Sequence, residues 1–312
     1  MKRLTPEQFA RARGFLKTQA RPLDRALFEH RFEAAPAGQA VAKLAQYRNA
    51  DGGLGHALEP DLRTPSSSAL CTGIGLRVLH EVGCASDHPL VSGAVQFLLE
   101  AFDEEKRVWP ATPLDANEHP HAPWWHDDDG SLARTFDEFV IIPRAQIVGL
   151  LHRYADLVPS AWLDAVTADT VVTIEALEDD AFAGGGDALR YALDLAETEP
   201  LPQHLKDRLI PRLRSHADRI VCRDPGEWGE YCPTPLKIAP SPRSVVADLL
   251  RDELGAHLDY AIGQQTAQGT WEPSWTWGDF YPQVWKQAEL EWRGHLTLET
   301  LTSLHAFGHI EM

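Results

Sequence analysis

Residues Gln46 to Pro65 read QYRNADGGLGHALEPDLRTP, and the segments on either side of them decide the fold. Asn49-Ala50-Asp51-Gly52-Gly53 is turn chemistry: Asn and Asp bond locally to the backbone, and paired glycines supply positive φ. Before it, Ala40, Val41, Leu44 and Ala45 recur at helical spacing. Pro60 and Pro65 forbid a helix across the stretch, because proline lacks an N–H and restricts its predecessor. Ser66, Ser67 and Ser68 then offer an N-cap to the apolar run Leu70, Ile74, Leu76, Val78 and Leu79. Two helices therefore flank a loop that carries His56, Glu59, Asp61 and Arg63 within eight residues. Two uses of that cluster are open. Asp51 caps a turn while Glu59 and Arg63 form a structural ion pair, or the polar groups face a substrate.

Outward from this loop the pattern stays helical. Segments 6–19, 23–33 and 38–48 precede it, the first with Thr5 as N-cap and Pro6 at the first position. A helix over about 66–82 stops at Gly83, and Pro89 starts another with Leu90, Val91, Ala94, Phe97, Leu98 and Phe102 on its buried stripe. Residues 104–131 form a long irregular excursion. Helical signal returns at about 134–156, 160–178, 187–197, 203–222 and 243–265, and the last segments are about 284–293 and 296–307. Long loops at 223–242 and 266–283 are rich in Pro, Gly and aromatics. Alternating strand patterns do not occur. The expectation is an all-α chain in which helical pairs alternate with short and long loops, in one domain spanning 1–312. Pairs of this kind stack into an open solenoid or close into a ring. Segments 66–82, 139–151 and 243–258 are apolar on more than one face, which favours a double ring.

The chain has 312 residues, 44% of them hydrophobic, with 46 acids against 29 bases and a net charge of −17. That balance argues against nucleic acid and anionic membrane as partners, since both demand positive patches. No apolar run reaches ~18 residues, so no membrane span is expected. The N-terminus, MKRLTPEQFARARG, reads as a polar helix start rather than a signal peptide. Cys71, Cys84, Cys222 and Cys232 show no CxxC spacing, Cys71 lies in an apolar helix, and a reduced, cytoplasmic setting is expected. Oligomeric state leaves no trace.

Two stretches carry a resemblance. Gln265-Thr-Ala-Gln-Gly269-Thr-Trp271 and Gln46–Gly55 resemble the QW repeat, QxxxGxW, of terpenoid cyclases and protein prenyltransferases, with Leu54 standing for the aromatic in the latter stretch. Gly226-Glu227-Trp228 is a weaker echo. The whole chain is also similar to a group of bacterial proteins that share YRNADGGLGHALEPDLRTP, HAPWW and a closing WRGHLTLETL. The resemblance implies an (α/α)6 toroid, a double ring of paired helices with long loops at one rim. That fold serves several chemistries and does not fix a function. Asp127-Asp128-Asp129-Gly130 departs from the DxDD acid of one cyclase class. Neither Asp127-Asp128 nor Asp179-Asp180 continues to DDxxD, and no cysteine stands where a zinc prenyltransferase would need one.

Three clusters are candidates for chemistry. In the first, Glu59 and Asp61 are the acid/base pair with His56 as partner, because carboxylates two apart at different burial acquire different pKa values. Arg63 is a substrate contact there. In the second, His119, His121, His126 and Asp127 have the atom types for a metal. His121, Trp124 and Trp125 also suit a pocket wall, and no metal or cofactor is assigned. In the third, Trp271, Trp275, Trp277 and Tyr281 alternate with polar groups, and aromatic faces suit sugar rings, hydrocarbons or cations. Trp271 is also read as a structural anchor. Tyr231 adds a further aromatic, and Trp285, Trp292 and Arg293 are read as core. The expectation is an enzyme on an apolar or ring-containing small molecule in an aromatic-lined cavity, with chemistry of the terpenoid cyclase or isomerase type. Glycoside hydrolase- or lyase-like action on an oligosaccharide is the alternative. A non-catalytic lipid, glycan or peptide-binding module, with its acids locked in ion pairs, is the third reading.

Overall fold

The computed structural model describes residues 2–130 and 141–311. Among them every regular element is helical, and β pairing is limited to four isolated bridges. The helices are α1 (Pro6–Thr18), α2 (Pro22–Phe32), α3 (Ala37–Leu44), α4 (Ala69–Glu81), α5 (Pro89–Glu100), α6 (Arg144–Arg153) and α7 (Ser160–Ala176). They continue with α8 (Asp179–Ala183), α9 (Asp187–Ala196), α10 (Gln203–Ile220), α11 (Pro235–Ile238), α12 (Arg251–Gly263) and α13 (Pro282–Ala306). No helix among the described residues is long and apolar enough to cross a membrane.

The start signals in the sequence do what their chemistry requires. Thr5 and Gln8 form a reciprocal capping box ahead of Pro6, and Ser68 accepts the N–H of Cys71 at the head of α4. Neighbouring helices pack as hairpins: α1 with α2, α2 with α3, α4 with α5, α6 with α7, and α9 with α10. Contacts between hairpins run α4 to α6, α6 to α9, α9 to α11 and α11 to α12. The end of the chain returns to its beginning. α13 packs against both α1 and α2, and Leu4 pairs with Ile310 through bonds from Leu4 N to His309 O (2.8 Å) and Glu311 N to Leu4 O (3.0 Å). Arg31 of α2 ties Glu81 of α4 to Thr302 of α13.

Some expected boundaries are corrected. The helix read over 243–265 begins only at Arg251. Upstream, the Glu197 carboxylate takes the N–H of Val245 (3.1 Å) and the hydroxyl of Ser244 (2.6 Å), which diverts backbone groups from a helical ladder. The segments read as 284–293 and 296–307 are one helix, α13, of 25 residues. Gly294 does not break it; a side chain there would meet Ala20 Cβ at 3.0 Å, so the glycine lets the α1–α2 turn lie against α13. The helix read over 134–156 is seen as α6 from Arg144, and its first part lies outside the described residues. Trp271 is buried and its Nε1 donates to Ala261 O (2.7 Å), while the Gln265 amide donates to Gln8 O (3.0 Å) and Gly269 O (3.3 Å).

Candidate functional site

The loop after α3 is held from both sides. Asp51 accepts the N–H of Gly53 (2.9 Å) and the Ser67 hydroxyl (2.9 Å), so it caps the turn. Asn49 donates to Pro65 O (2.9 Å) and Ser67 Oγ (3.0 Å), pinning the two ends of the stretch together. Beyond the turn, residues 61–63 lie antiparallel to 120–122. Leu62 bridges His121, Arg63 N donates to Pro120 O (3.1 Å) and Ala122 N donates to Asp61 O (2.8 Å). The third cluster arrives through its indoles, and the rings of His121 and Tyr281 lie 5.6 Å apart. The segments around 56–63, 121–127 and 271–281 therefore meet, although some 220 residues of chain separate the first from the last.

Asp61 is the centre of that meeting. Its side chain is 2% exposed, and Oδ1 accepts indole N–H groups from Trp277 (2.7 Å) and Trp292 (2.7 Å). A third indole, Trp275, also favours the charged carboxylate, although its Nε1 is buried without a partner in bonding geometry. Burial pushes the Asp61 pKa up to about 6, and the indoles and Arg63 hold it from rising further. Glu59 is 7% exposed and carries a buried Oε2 with no hydrogen-bond partner. Burial first, and the charge of Asp61 second, hold its pKa well above the usual carboxylate range. The two carboxylates thus differ in environment: indole N–H donors favour the charged form of Asp61, whereas burial and the charge of Asp61 disfavour the charged form of Glu59, an asymmetry of the kind acid/base chemistry uses.

That raised pKa gives stability a direction with pH. An acid titrating higher in the folded state than in the unfolded state favours folding in its protonated form. Its contribution is complete below about pH 4 and lost as pH rises through about 6. A rise from 3.8 to about 6 corresponds to about 3 kcal/mol. Urea unfolding of wild type, taken relative to Asp61→Asn, is expected to lose about that much between pH 4 and pH 7. A difference that stays flat across this range would contradict the assignment.

The remaining candidates separate. Arg63 does not pair with Glu59; it is bidentate on Glu291 of α13 (2.7 and 3.2 Å), which corrects the expected ion pair. α13 presents Glu291 to the loop at a distance in sequence that no local pattern reveals. His56 is not a partner of the two acids either. It is exposed, sits at φ +54 and bonds Asn49 Oδ1 through Nε2 (2.8 Å). His121 is buried, with Nδ1 on His119 O (2.6 Å) and Nε2 on His126 Nδ1 (2.9 Å). Among the described residues no group of three His, Cys, Asp or Glu side chains is placed to hold a metal ion. Trp125 is buried, whereas Trp124, Tyr281 and Tyr231 are exposed. Tyr231 donates to Asp187 Oδ2 (2.5 Å), packs edge-on against Trp275 (6.1 Å) and carries Lys237 over its ring (4.8 Å).

Trp292, read from the sequence as core, instead lies at the Asp61 cluster. It is half-buried, packs edge-on against Trp275 (5.1 Å) and His295 (5.5 Å), and holds Asp61. The signal was present: Trp285, Trp292, His295 and Glu299 recur on one face of α13 where an internal helix would place aliphatic residues. Arg77 of α4, Tyr191 of α9 and Glu299 of α13 were also missed, and they lie within electrostatic reach of one another or of Glu59. Against known proteins, no family description, curated protein or solved structure matches this chain.

Proposed function

We propose that this protein is an enzyme in which Glu59 is the general acid and Asp61 the charge-stabilising carboxylate, acting on a polyhydroxylated ring substrate against the indoles in the hollow of an (α/α)6 toroid. One observation carries the reading. Asp61 is buried, and its carboxylate is hydrogen-bonded by neutral indole donors while the nearby Arg63 is paired with Glu291 instead. A structural carboxylate at this depth is ordinarily neutralised by an Arg or Lys. One held by neutral dipoles keeps its negative field for positive charge that develops on a substrate. In glycoside cleavage the C–O bond breaks as the Glu59 proton passes to the leaving oxygen, Asp61 faces the oxocarbenium-like carbon, and water then adds to that carbon while giving a proton back to the Glu59 carboxylate.

The toroid is supported by the succession of contacts from α4 through α6, α9, α11 and α12, and by the return of α13 onto α1 and α2. Its hollow is supported by two charged side chains. Arg77 is 33% exposed and Glu299 is 49% exposed, yet desolvation is the largest influence on each, as for groups facing an enclosed space. Glu299 is still drawn down to about 2, because His295, Arg77 and Arg31 outweigh that desolvation. Such a lining favours a sugar-like ring over a hydrocarbon, which would leave these groups desolvated and unpaired. The terpenoid-type reading stands second, on the QW-like anchoring of Trp271 and, separately, on the Trp275–Trp292 indole wall and the raised pKa of Glu59. The binding-module reading expects both acids in ion pairs, whereas Arg63 is engaged by Glu291 and Glu59 Oε2 has no partner.

The test is turnover on a panel of neutral oligosaccharides, with prenyl diphosphates and squalene-like lipids as the competing class. Glu59→Gln is expected to fold as wild type and to lose at least about 100-fold in kcat on whichever substrate is found. Unchanged turnover in that variant would remove Glu59 from the mechanism.

A further inference from the structure

A cavity of about 280 Å3 opens between the α1–α2 turn, residues 56–57 and α13. Its polar lining is Gln19, Arg21, Tyr47, His56, Arg63, Gln287 and Glu291. Both guanidiniums are already neutralised, Arg21 by Asp24 (2.8 and 3.1 Å) and Arg63 by Glu291 (2.7 and 3.2 Å). An anion entering here would approach Glu291, and a cation would approach Arg21 and Arg63, so neither sign is favoured. What remains to recognise a ligand is the Gln19 amide, the Tyr47 hydroxyl, the oxygen of the Gln287 amide whose NH2 is given to Glu291 (2.8 Å), and the His56 imidazole. The fixed ion pairs add oriented N–H groups and carboxylate lone pairs, the complement of adjacent hydroxyls.

One wall of the cavity is strained. His56 (φ +54) and Ala57 (φ +59) are successive residues in the left-handed region that L side chains seldom hold. They are kept there by bonds from His56 N to Thr64 O (3.1 Å) and Leu58 N to Gly55 O (3.0 Å). Backbone strain of this kind gathers at ligand sites, where the surrounding structure over-determines it. The volume is near the ~300 Å3 at which small-molecule pockets begin, a size for one ring rather than a chain.

We propose that this cavity is a binding subsite for a single neutral, polyhydroxylated ring, the size of one hexose or cyclitol, held by Tyr47, His56 and Gln287 over the Arg63–Glu291 pair. The site stands on its own lining and does not require Glu59 or Asp61 to be catalytic. It lies beside the acid pair through Arg63, so a longer glycan bridging both would explain why the two are adjacent.

Thermal shift and titration calorimetry test it, with glucose, mannose, galactose and myo-inositol as probes against acetate, phosphate and methylamine at equal ionic strength. At least one polyol is expected to raise Tm by about 2 °C at ten times its Kd. Tyr47→Phe and Gln287→Leu, which keep both ion pairs, are expected to weaken that binding by about tenfold each. Stabilisation by an ion and by no polyol, or polyol binding indifferent to both substitutions, would overturn the subsite. Because the readout is binding and not turnover, its failure would leave the Glu59→Gln result standing, and the reverse holds as well.

Discussion

Truncating Trp277 to alanine is expected to lower stability by about 3–5 kcal/mol and to abolish turnover. The indole is 1% exposed, packs against Trp285 at 5.6 Å, and donates one of the two bonds that hold Asp61. Its loss opens a large cavity and leaves a buried carboxylate with one fewer donor, and each effect alone is costly. Trp277→Phe separates them. It keeps most of the volume and removes the N–H, so stability should fall by only about 1–2 kcal/mol. The Asp61 pKa should then rise above its present value of about 6. In the proposed mechanism, where Asp61 acts as the carboxylate, the acid limb of the pH–rate profile would move up with it. Urea unfolding and that profile are the measurements. If Trp277→Ala unfolds within about 0.5 kcal/mol of wild type, as a surface substitution would, Trp277 is not the keystone of the site.

Gly55→Ala is expected to be among the most damaging substitutions of the described glycines, costing more than about 4 kcal/mol. A Cβ there would lie 2.2 Å from Ser66 O and 2.5 Å from Pro65 O. Those are backbone atoms, fixed by the Asn49 bonds to Pro65 and Ser67 and by Ser68 N to Leu54 O (3.1 Å), so nothing nearby can rotate away. Relief requires opening the loop that carries Glu59, Asp61 and Arg63, and the site would go with it. Gly255→Ala is the control. A methyl added at Gly255, in α12, would meet no atom within 4 Å, and the change should stabilise by roughly 0.5–1 kcal/mol. Melting temperatures of the two variants decide the matter: similar values for both would mean that the loop is not rigidly closed at Gly55.

The sequence made the loop legible because its geometry is written in local chemistry. Asp51 and the glycines make the turn, the prolines keep out helix, and Ser68 caps α4. It also marked Glu59, Asp61, Trp275 and Trp277 as candidates through residue type alone. Of the two uses it left open for the cluster, the Glu59–Arg63 ion pair does not form, because an arginine's partner is set by proximity in space and not in sequence. Arg63 instead found Glu291, which lies 228 positions away. Trp292 was assigned to the core for a similar reason. On a helical wheel an indole facing a carboxylate and an indole facing leucines look alike.

The sequence by itself therefore determined the helical class, the turn at 49–53, the caps and the inventory of acids and indoles, since each depends on residues within a few positions of one another. Tertiary structure alone decided which acid would lie under which indole, which arginine would be neutralised, and that burial would raise the pKa of both Glu59 and Asp61 above the usual carboxylate range. Those outcomes are set by burial and by partners brought from the far end of the chain. Desolvation and long-range hydrogen bonds exist only once α13 has closed against α1 and α2.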